Sequence, residues 1–431
     1  IYFFIGTIFF FLLLRNRFRS TNLALLGTLF LIISPRIFAN AFYNNKDIIF
    51  LSLFIIASYY SVRTLQNLTY IDSILASIFI DLATGMRILA VFLALLLLFF
   101  LIIKYLRNEK KKETTLKIFL SLLILLPGSI ILFYPFLWSD PLSNFLFIFE
   151  RLSNFEWGGY NLYLGDYIKA QNVPWHYSIV WIYATTPILY LILFTFGFVL
   201  MIKRIFFRLM NIKEQKKYND LWRGNKEMCD LFFFSILFFP ILLIILINST
   251  LYSGWRHLYF VYPYIIIIAI YGLNYFDIKY FKKIYKKLYI LILISFIINI
   301  NWMYKNHPNQ NLYFNYFFKD NFDNLFDLDY WGLSINQNLN FINKNSSNKY
   351  RISSIGNMDL ELNRKFLEEK DRKRVIIVDK IEDADFIVVN KYYWDANKSK
   401  NEKLLDNGLE KIYEVLVDGK TISSVYKNPA N

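Results

Sequence analysis

A chain of 431 residues, 56% of them hydrophobic and 20% aromatic, with a mean hydropathy of +0.34, is too apolar for a soluble protein of this size and reads as a polytopic α-helical membrane protein. Its formal net charge of +15 sits mainly in short runs beside apolar segments. Topology and anionic membrane lipids explain such runs, so nucleic-acid binding is set aside. A single cysteine, Cys229, excludes an intramolecular disulfide and any multi-cysteine metal site.

In chain order, about ten apolar segments are candidate spans: roughly 1–14, 21–35, 48–62, 72–84, 88–103, 117–134, 178–202, 229–248, 258–276 and 287–303. Some reach across a bilayer only if tilted. The chain opens at Ile1 inside an apolar run with no initiator Met, so a segment upstream of it is expected. Lys and Arg cluster at Arg15, Arg17 and Arg19 and within 104–117, 203–226 and 279–287, and the positive-inside rule puts those gaps in the cytoplasm. The alternate gaps, near 35–47, 85–87, 135–177 and 249–257, then face outward, as does everything from about 304. Asp81, Gly85 and Arg87 interrupt the stretch 72–103, which predicts two short helices meeting at an outer turn; the rival is one long kinked helix.

After Asn301 the composition turns to soluble type, which divides the chain into a transmembrane domain, 1–303, and a small extracytoplasmic α/β domain, 304–431. Within the latter, 374–379 and 385–390 read as strands and 359–370 as an amphipathic helix. The run from Glu414 to Tyr426 reads as a hairpin turning at Asp418-Gly419, residues suited to the positive φ angles of such a turn. No internal repeat or inverted symmetry is visible, which weighs against a secondary transporter.

Polar residues gather in the outward gaps. Asp47 stands at the start of a helix after Ser34-Pro35-Arg36 and Lys46; it is either a cap at the positive end of the helix dipole or an active-site acid facing a sugar hydroxyl or a metal. Arg87 lies among apolar residues, where an unpaired charge costs several kcal/mol, so it pairs with Asp81 or binds an anionic ligand. Gly85 beside it permits close backbone approach. Trp and Tyr in Pro174-Trp175-His176-Tyr177 are ordinary interfacial anchors, but His176 among them is suited to a phosphate or sugar oxygen. Gly254-Trp255-Arg256-His257 adds a cation whose planar fork fits two phosphate oxygens, unless Arg256 makes a structural salt bridge. Asp329-Tyr330-Trp331-Gly332-Leu333-Ser334 either closes over an acceptor or caps a helix through Ser334.

These cations and carboxylates at one membrane surface suit a lipid-linked phosphate and a polar acceptor. Displacing a polyprenyl phosphate from an anomeric carbon needs a carboxylate to orient the attacking hydroxyl and cations to stabilise the leaving phosphate. Attack opposite the leaving group inverts the anomeric centre. The ordered series Ser34-Pro35-Arg36 through Lys46-Asp47, Gly85-Met86-Arg87, Trp138-Ser139-Asp140-Pro141, Pro174-Trp175-His176-Tyr177, Gly254-Trp255-Arg256-His257 and Asp329 to Ser334 resembles the membrane-embedded GT-C glycosyltransferases. Within them it resembles bacterial relatives of the dolichyl-phosphate-mannose protein mannosyltransferases and the aminoarabinose lipid A transferases.

The resemblance implies a GT-C-like fold in a bacterial plasma membrane. The site would lie outside the cytoplasm, with a polyprenyl-phosphate-linked sugar donor and a lipid, glycan or protein acceptor. It further implies Asp47 as the second acidic residue of the site, with Arg36, Arg87, His176, Arg256 and His257 toward substrate and phosphate. The family's acidic pair in the first outer loop would precede Ile1. No motif indicates a cofactor, and a metal requirement stays open. The competing readings are an O-antigen polymerase or ligase, whose main outer loop lies mid-chain without a folded C-terminal outer domain, and a non-enzymatic transporter or scaffold.

Overall fold

The computed structural model describes residues 1–107, 111–153, 157–210, 221–279, 282–356, 359–392, 405 and 408–429. Parts of the basic stretches at 104–117, 203–226 and 279–287 lie outside them. Two compact units emerge. One takes Ile1–Trp157, Val173–Leu251 and Trp255–Ile300; the other takes Gly158–Asn172, Tyr252–Gly254 and Asn301–Asn431.

The first unit is helical. Its helices are α1 (Tyr2–Phe18), α2 (Thr21–Ile32), α3 (Pro35–Tyr43), α4 (Asp47–Asn67), α5 (Tyr70–Met86), α6 (Val91–Leu106), α7 (Lys112–Phe133) and α8 (Pro141–Ser153). Beyond the hairpin of β1 (Tyr160–Tyr163) and β2 (Asp166–Lys169), which belongs to the second unit, follow α9 (Tyr177–Thr185), α10 (Ile188–Met210), α11 (Gly224–Leu246), α12 (Tyr262–Lys279) and α13 (Lys282–Lys305). Among the described residues seven helices are long and apolar enough to cross a membrane, or eight if the bent pair α2 and α3 counts as one. The Arg256–Tyr275 span is 83% buried, whereas Lys112–Phe133 is only 17% buried. Helix α12 therefore forms the centre of the unit, and α7 turns residues such as Leu120, Ile124 and Leu132 outward, a face suited to lipid.

Local chemistry sets the boundaries. Ser20 caps α2 by accepting from Leu23 N, and Thr69 caps α5 by accepting from Asp72 N. Helix α5 stops at Met86 because Arg87 is extended, with φ −151°, and a short 3₁₀ turn, Ile88–Ala90, leads into α6. The two-helix reading of 72–103 is thus the one the fold adopts. Two other expectations are corrected. The gap 35–47 is mostly the helix α3, set at 66° to α2, because Pro35 at its first position has no N–H to donate and so starts a new helix. The segment 178–202 is two helices, since Thr186 is extended before Pro187.

Close packing and buried charge hold the unit together. Gly197 of α10 lies against Gly272 of α12, and a Cβ on Gly197 would fall 2.0 Å from the Ile268 carbonyl oxygen. Small residues of this kind let two membrane helices approach to backbone contact. Where α1, α10 and α11 meet, the fully buried Asp230 accepts from Arg17 Nη2 and from Arg204 Nη1, each at 2.6 Å. Both guanidinium groups also face the Tyr271 ring, so the charges are paired and covered by an aromatic surface.

The second unit carries a five-stranded mixed sheet, β3 (Tyr350–Ile355), β4 (Val375–Ile377), β5 (Phe386–Asn390), β6 (Glu410–Val417) and β7 (Lys420–Lys427), in the order β4-β3-β5-β7-β6. Strand β3 runs parallel to both neighbours, and β7 antiparallel to both of its own. The expected hairpin is β6–β7, with Asp418 at φ 48° and Gly419 at φ 78°. After the short α14 (Phe322–Leu325), helix α15 (Leu333–Asn345) buries Ile335, Leu339 and Ile342 on one sheet face against Ile352, Val388 and Val425. The amphipathic helix expected over 359–370 is two short pieces, α16 (Leu360–Lys365), capped by Asp359, and α17 (Glu369–Arg372).

Ser334 is not the cap of α15. Gly332 holds the N-cap position, and Asp329 serves the first turn in its place: its carboxylate accepts from Leu333 N at 2.9 Å, Ser334 N at 3.1 Å and Asn390 Nδ2 at 3.0 Å. Neighbouring Asp327 is buried and accepts from Leu162 N at 3.0 Å, while its Oδ2 has no partner among the described residues. Burial pushes the Asp327 carboxyl up to about 7, against the pull of the Leu162 N–H, and Asp329 up to about 6. The folded acids keep protons that the unfolded chain releases near pH 4, so stability falls as pH rises from about 4 to about 7. Asp327→Asn is expected to remove the larger part of that fall, a gain of up to about 4 kcal/mol at neutral pH. Melting temperatures at acid and at mildly alkaline pH check it: the advantage of the variant over wild type must grow with pH.

Candidate functional site

Asp47 is the first residue of α4 and is 1% exposed. Its Oδ1 accepts from Arg87 Nε at 2.9 Å and, more closely, from Arg87 Nη2. Its Oδ2 accepts from Asn44 Nδ2 at 2.9 Å and lies 3.9 Å from Arg256 Nη1. The extended backbone at Arg87, which ends α5, brings its side chain to the N-terminus of α4. The sequence suggested Asp81 as the partner of Arg87; the partner is Asp47. Asp81 instead accepts from Ser129 Oγ across α5 and α7.

Lys46 joins this group. Partial desolvation, and then the charges of Arg87 and Arg256, push its ammonium below the ordinary value, against the attraction of Asp47. His257 also lies within the fields of Arg87, Arg256 and Lys46. The result is a cluster of three cations around one buried carboxylate.

Lys46 and Arg87 line a cavity of about 160 Å³ whose other walls include Gly85, Met86 and Tyr134. A Cβ on Gly85 would meet nothing within 4 Å, so the space beside it belongs to the cavity. Thr84, Ile130, Leu137 and Phe145 line this cavity and also a second one of about 340 Å³, whose remaining walls are Ile80, Asp81, Val91, Ala94, Leu126, Pro127, Ile131, Pro141 and Leu142. A charged chamber thus adjoins an apolar groove formed by α5, α6, α7 and α8. Among the described residues no group of three or more His, Cys, Asp or Glu side chains is placed to hold a metal ion.

Residues 1–134 match the family model described as dolichyl-phosphate-mannose-protein mannosyltransferase. The matched segment holds Arg36, Lys46, Asp47 and Arg87, whereas His176, Arg256 and His257 lie beyond it. Among solved structures the chain is similar to ArnT from Cupriavidus metallidurans in the apo state, at 10% identity and a TM-score of 0.45, and to the same protein bound to undecaprenyl phosphate, at 10% identity and 0.43. Each match covers 98% of this chain and 82% of the other. No curated protein matches the chain.

The other expected site residues are placed as follows. Arg36 lies in α3, 2% exposed, with its guanidinium over the Trp181 ring at 5.3 Å, a cation held by an aromatic face. His176 stands at the N-cap of α9 with its ring edge-on to Trp175. The direct contacts around Asp47 gather Arg87 and Arg256. Lys46 and Asn44 were not singled out from the sequence. Apart from the place of Lys46 at the end of the series that closes on Asp47, their signal was nearness to Asp47 in a chain where Asn and Lys are abundant everywhere, which makes any single one uninformative.

Proposed function

We propose that this protein transfers a sugar from a polyprenyl-phosphate donor to a hydroxyl acceptor, at the membrane surface facing away from the cytoplasm. The observation that carries the reading is the pair of adjoining cavities, one cationic and one apolar, with four residues in common. That shape suits a ligand with a phosphate head and a hydrocarbon tail. The family match over residues 1–134 supports the same reading, as does the ordered motif series.

The charge of the cluster suits the reaction. Lys46, Arg87 and Arg256 outweigh the single Asp47 by two charges. A donor phosphodiester carries one negative charge, and the phosphate that leaves carries up to two. A fixed cationic cluster therefore stabilises the departing group more than the bound donor, which is the condition for lowering a barrier and not merely tightening binding. Attack from the face opposite that phosphate inverts the anomeric centre.

Within this reading Asp47, both of whose oxygens are engaged and which is 1% exposed, holds Arg87 and Arg256 in place for the phosphate. His176 and His257 are assigned to sugar or phosphate oxygens, and Arg36 to the support of the α3 wall.

Mass spectrometry of lipids retained by the purified protein tests the donor. Wild type is expected to carry a polyprenyl phosphate or its glycoside, and the Arg87→Ala/Arg256→Ala double variant to lack it. Retention of ordinary phospholipid alone, even after a polyprenyl-phosphate mixture is supplied, would favour a transporter or scaffold.

A further inference from the structure

Two buried amides link the carboxylate at the centre of this cluster to the helices around it. Asn44 follows α3 and is 3% exposed; its Oδ1 accepts from the backbone N–H of Asp47 at 2.9 Å. Its Nδ2 donates to Asp47 Oδ2 at 2.9 Å and to Asn40 Oδ1 at 3.0 Å. Asn40, fully buried, donates from Nδ2 to the Arg36 carbonyl at 2.9 Å and to the Tyr259 hydroxyl at 3.3 Å. These bonds fix the orientation of both amides. Flipping Asn44 would set its oxygen against the Asp47 carboxylate and the Asn40 oxygen, two acceptors with no proton to share.

The geometry around Asp47 makes the choice of amide meaningful. Arg87 occupies Oδ1 through two donors, while on Oδ2 the Asn44 amide lies within hydrogen-bond distance and Arg256 stands off at 3.9 Å. The neutral donor from Asn44 thus holds one carboxylate oxygen where two cations would otherwise compete for it. Tyr259 stands three residues after Arg256 in the same 3₁₀ turn, Arg256–Val261, so the amide ladder also fastens the segment that presents Arg256.

We propose that Asn44, supported by Asn40, is a positioning residue that aligns Asp47 between Arg87 and Arg256 for the transfer reaction. The role in the reaction rests on the function proposed above. The alignment itself does not, and it is tested separately. A simpler role is available, since the Asn44 oxygen alone caps the first turn of α4.

Asn44→Asp separates the two roles. The new carboxyl keeps an oxygen for the Asp47 N–H, so a cap survives at every pH. Only its protonated form donates to Asp47 Oδ2 as the amide does; ionised, it sets two carboxylates within hydrogen-bond distance of each other. The charged and titratable groups around this pair are Lys46 beside it, Arg87 at the end of α5, and Arg256, His257 and Tyr259 on the 3₁₀ turn; Arg36 on α3 gives its carbonyl to Asn40 and turns its guanidinium over Trp181. The cations favour the doubly ionised form and oppose the like-charge repulsion, which leaves a measurable titration as the signature.

The experiment compares N44D with wild type in two readouts, transfer rate and melting temperature, at about pH 8 and at about pH 5.5. The expected result is that both are depressed at the higher pH, and that the ratio of variant to wild-type transfer rises at least about tenfold at the lower. N44A is expected to be impaired equally at both. A ratio for N44D that does not change with pH, whether near one or near zero, overturns the proposal. If N44D does not yield folded protein at the higher pH, purification at about pH 5.5 must recover it, because the protonated side chain keeps the acceptor for the Asp47 N–H and the donor to Asp47 Oδ2 and gives up only the second amide proton, the one to Asn40 Oδ1; failure there also overturns it. Absence of transfer in wild type with a pH-dependent melting difference in N44D would instead strike the proposed reaction and leave the alignment standing.

Discussion

Arg87→Ala is expected to lower sugar transfer by about a hundredfold or more, the loss typical of removing one donor aimed at developing charge. Arg87 lines the charged cavity and also neutralises a buried carboxylate, so a single variant confounds catalysis with stability. Stranding Asp47 is expected to cost about 3 kcal/mol. The double variant Asp47→Asn/Arg87→Ala resolves the two: it leaves no buried anion to strand, although Arg256 and Lys46 lose the attraction of Asp47, so its melting temperature returns part of the way toward wild type while transfer rises no higher than in the single variant. Recovery of transfer in the double variant would show that Arg87 serves only to neutralise Asp47, and would remove it from the donor site. Arg87→Lys is expected to restore little, because a flexible ammonium does not hold two donors on Asp47 Oδ1 as the planar guanidinium does with Nε and Nη2.

Gly197→Ala is expected to be the most destabilising Gly→Ala change among the described glycines of the helical unit. Its Cβ would lie 2.0 Å from the Ile268 carbonyl oxygen and 3.0 Å from Gly272 N, and both are backbone atoms. A flexible side chain turns aside; a helix backbone does not, so α10 and α12 must separate along their contact. Overpacking of this kind is expected to cost about 3 kcal/mol or more. Gly128→Ala, in α7, is the control: its Cβ would meet nothing within 4 Å, so it is expected to be neutral or slightly stabilising. Thermal unfolding in detergent checks both, and equal behaviour of the two variants would mean that α10 and α12 tolerate greater separation.

The two predictions probe different kinds of information. Apolar stretches and basic runs are local, and the bilayer reads them directly, so the helical class and most of the spans were legible from residue order alone. The same holds for the β6–β7 hairpin, whose Asp418-Gly419 turn requires the positive φ angles observed. The break at Arg87 was legible too, because a charge in an apolar run demands a partner. Errors arose where one backbone residue decides continuity. Pro35 starts α3 inside an expected loop, and the extended Thr186 divides an expected single span.

By itself, then, the sequence determined that this is a multi-span helical membrane protein with a mixed α/β unit toward its C-terminus, and it offered Asp47, Arg36, Arg87, His176, Arg256 and His257 as candidate site residues. Only the tertiary structure decided who pairs with whom: Arg87 with Asp47 and not Asp81, Asp329 and not Ser334 as the acceptor for the first turn of α15, and Lys46 and Asn44 as members of the cluster. The physical reason is distance along the chain. Periodicity and composition report on neighbours within a turn or two, whereas the Asp47–Arg87 pair joins residues 40 positions apart, and helix packing alone brings them within reach.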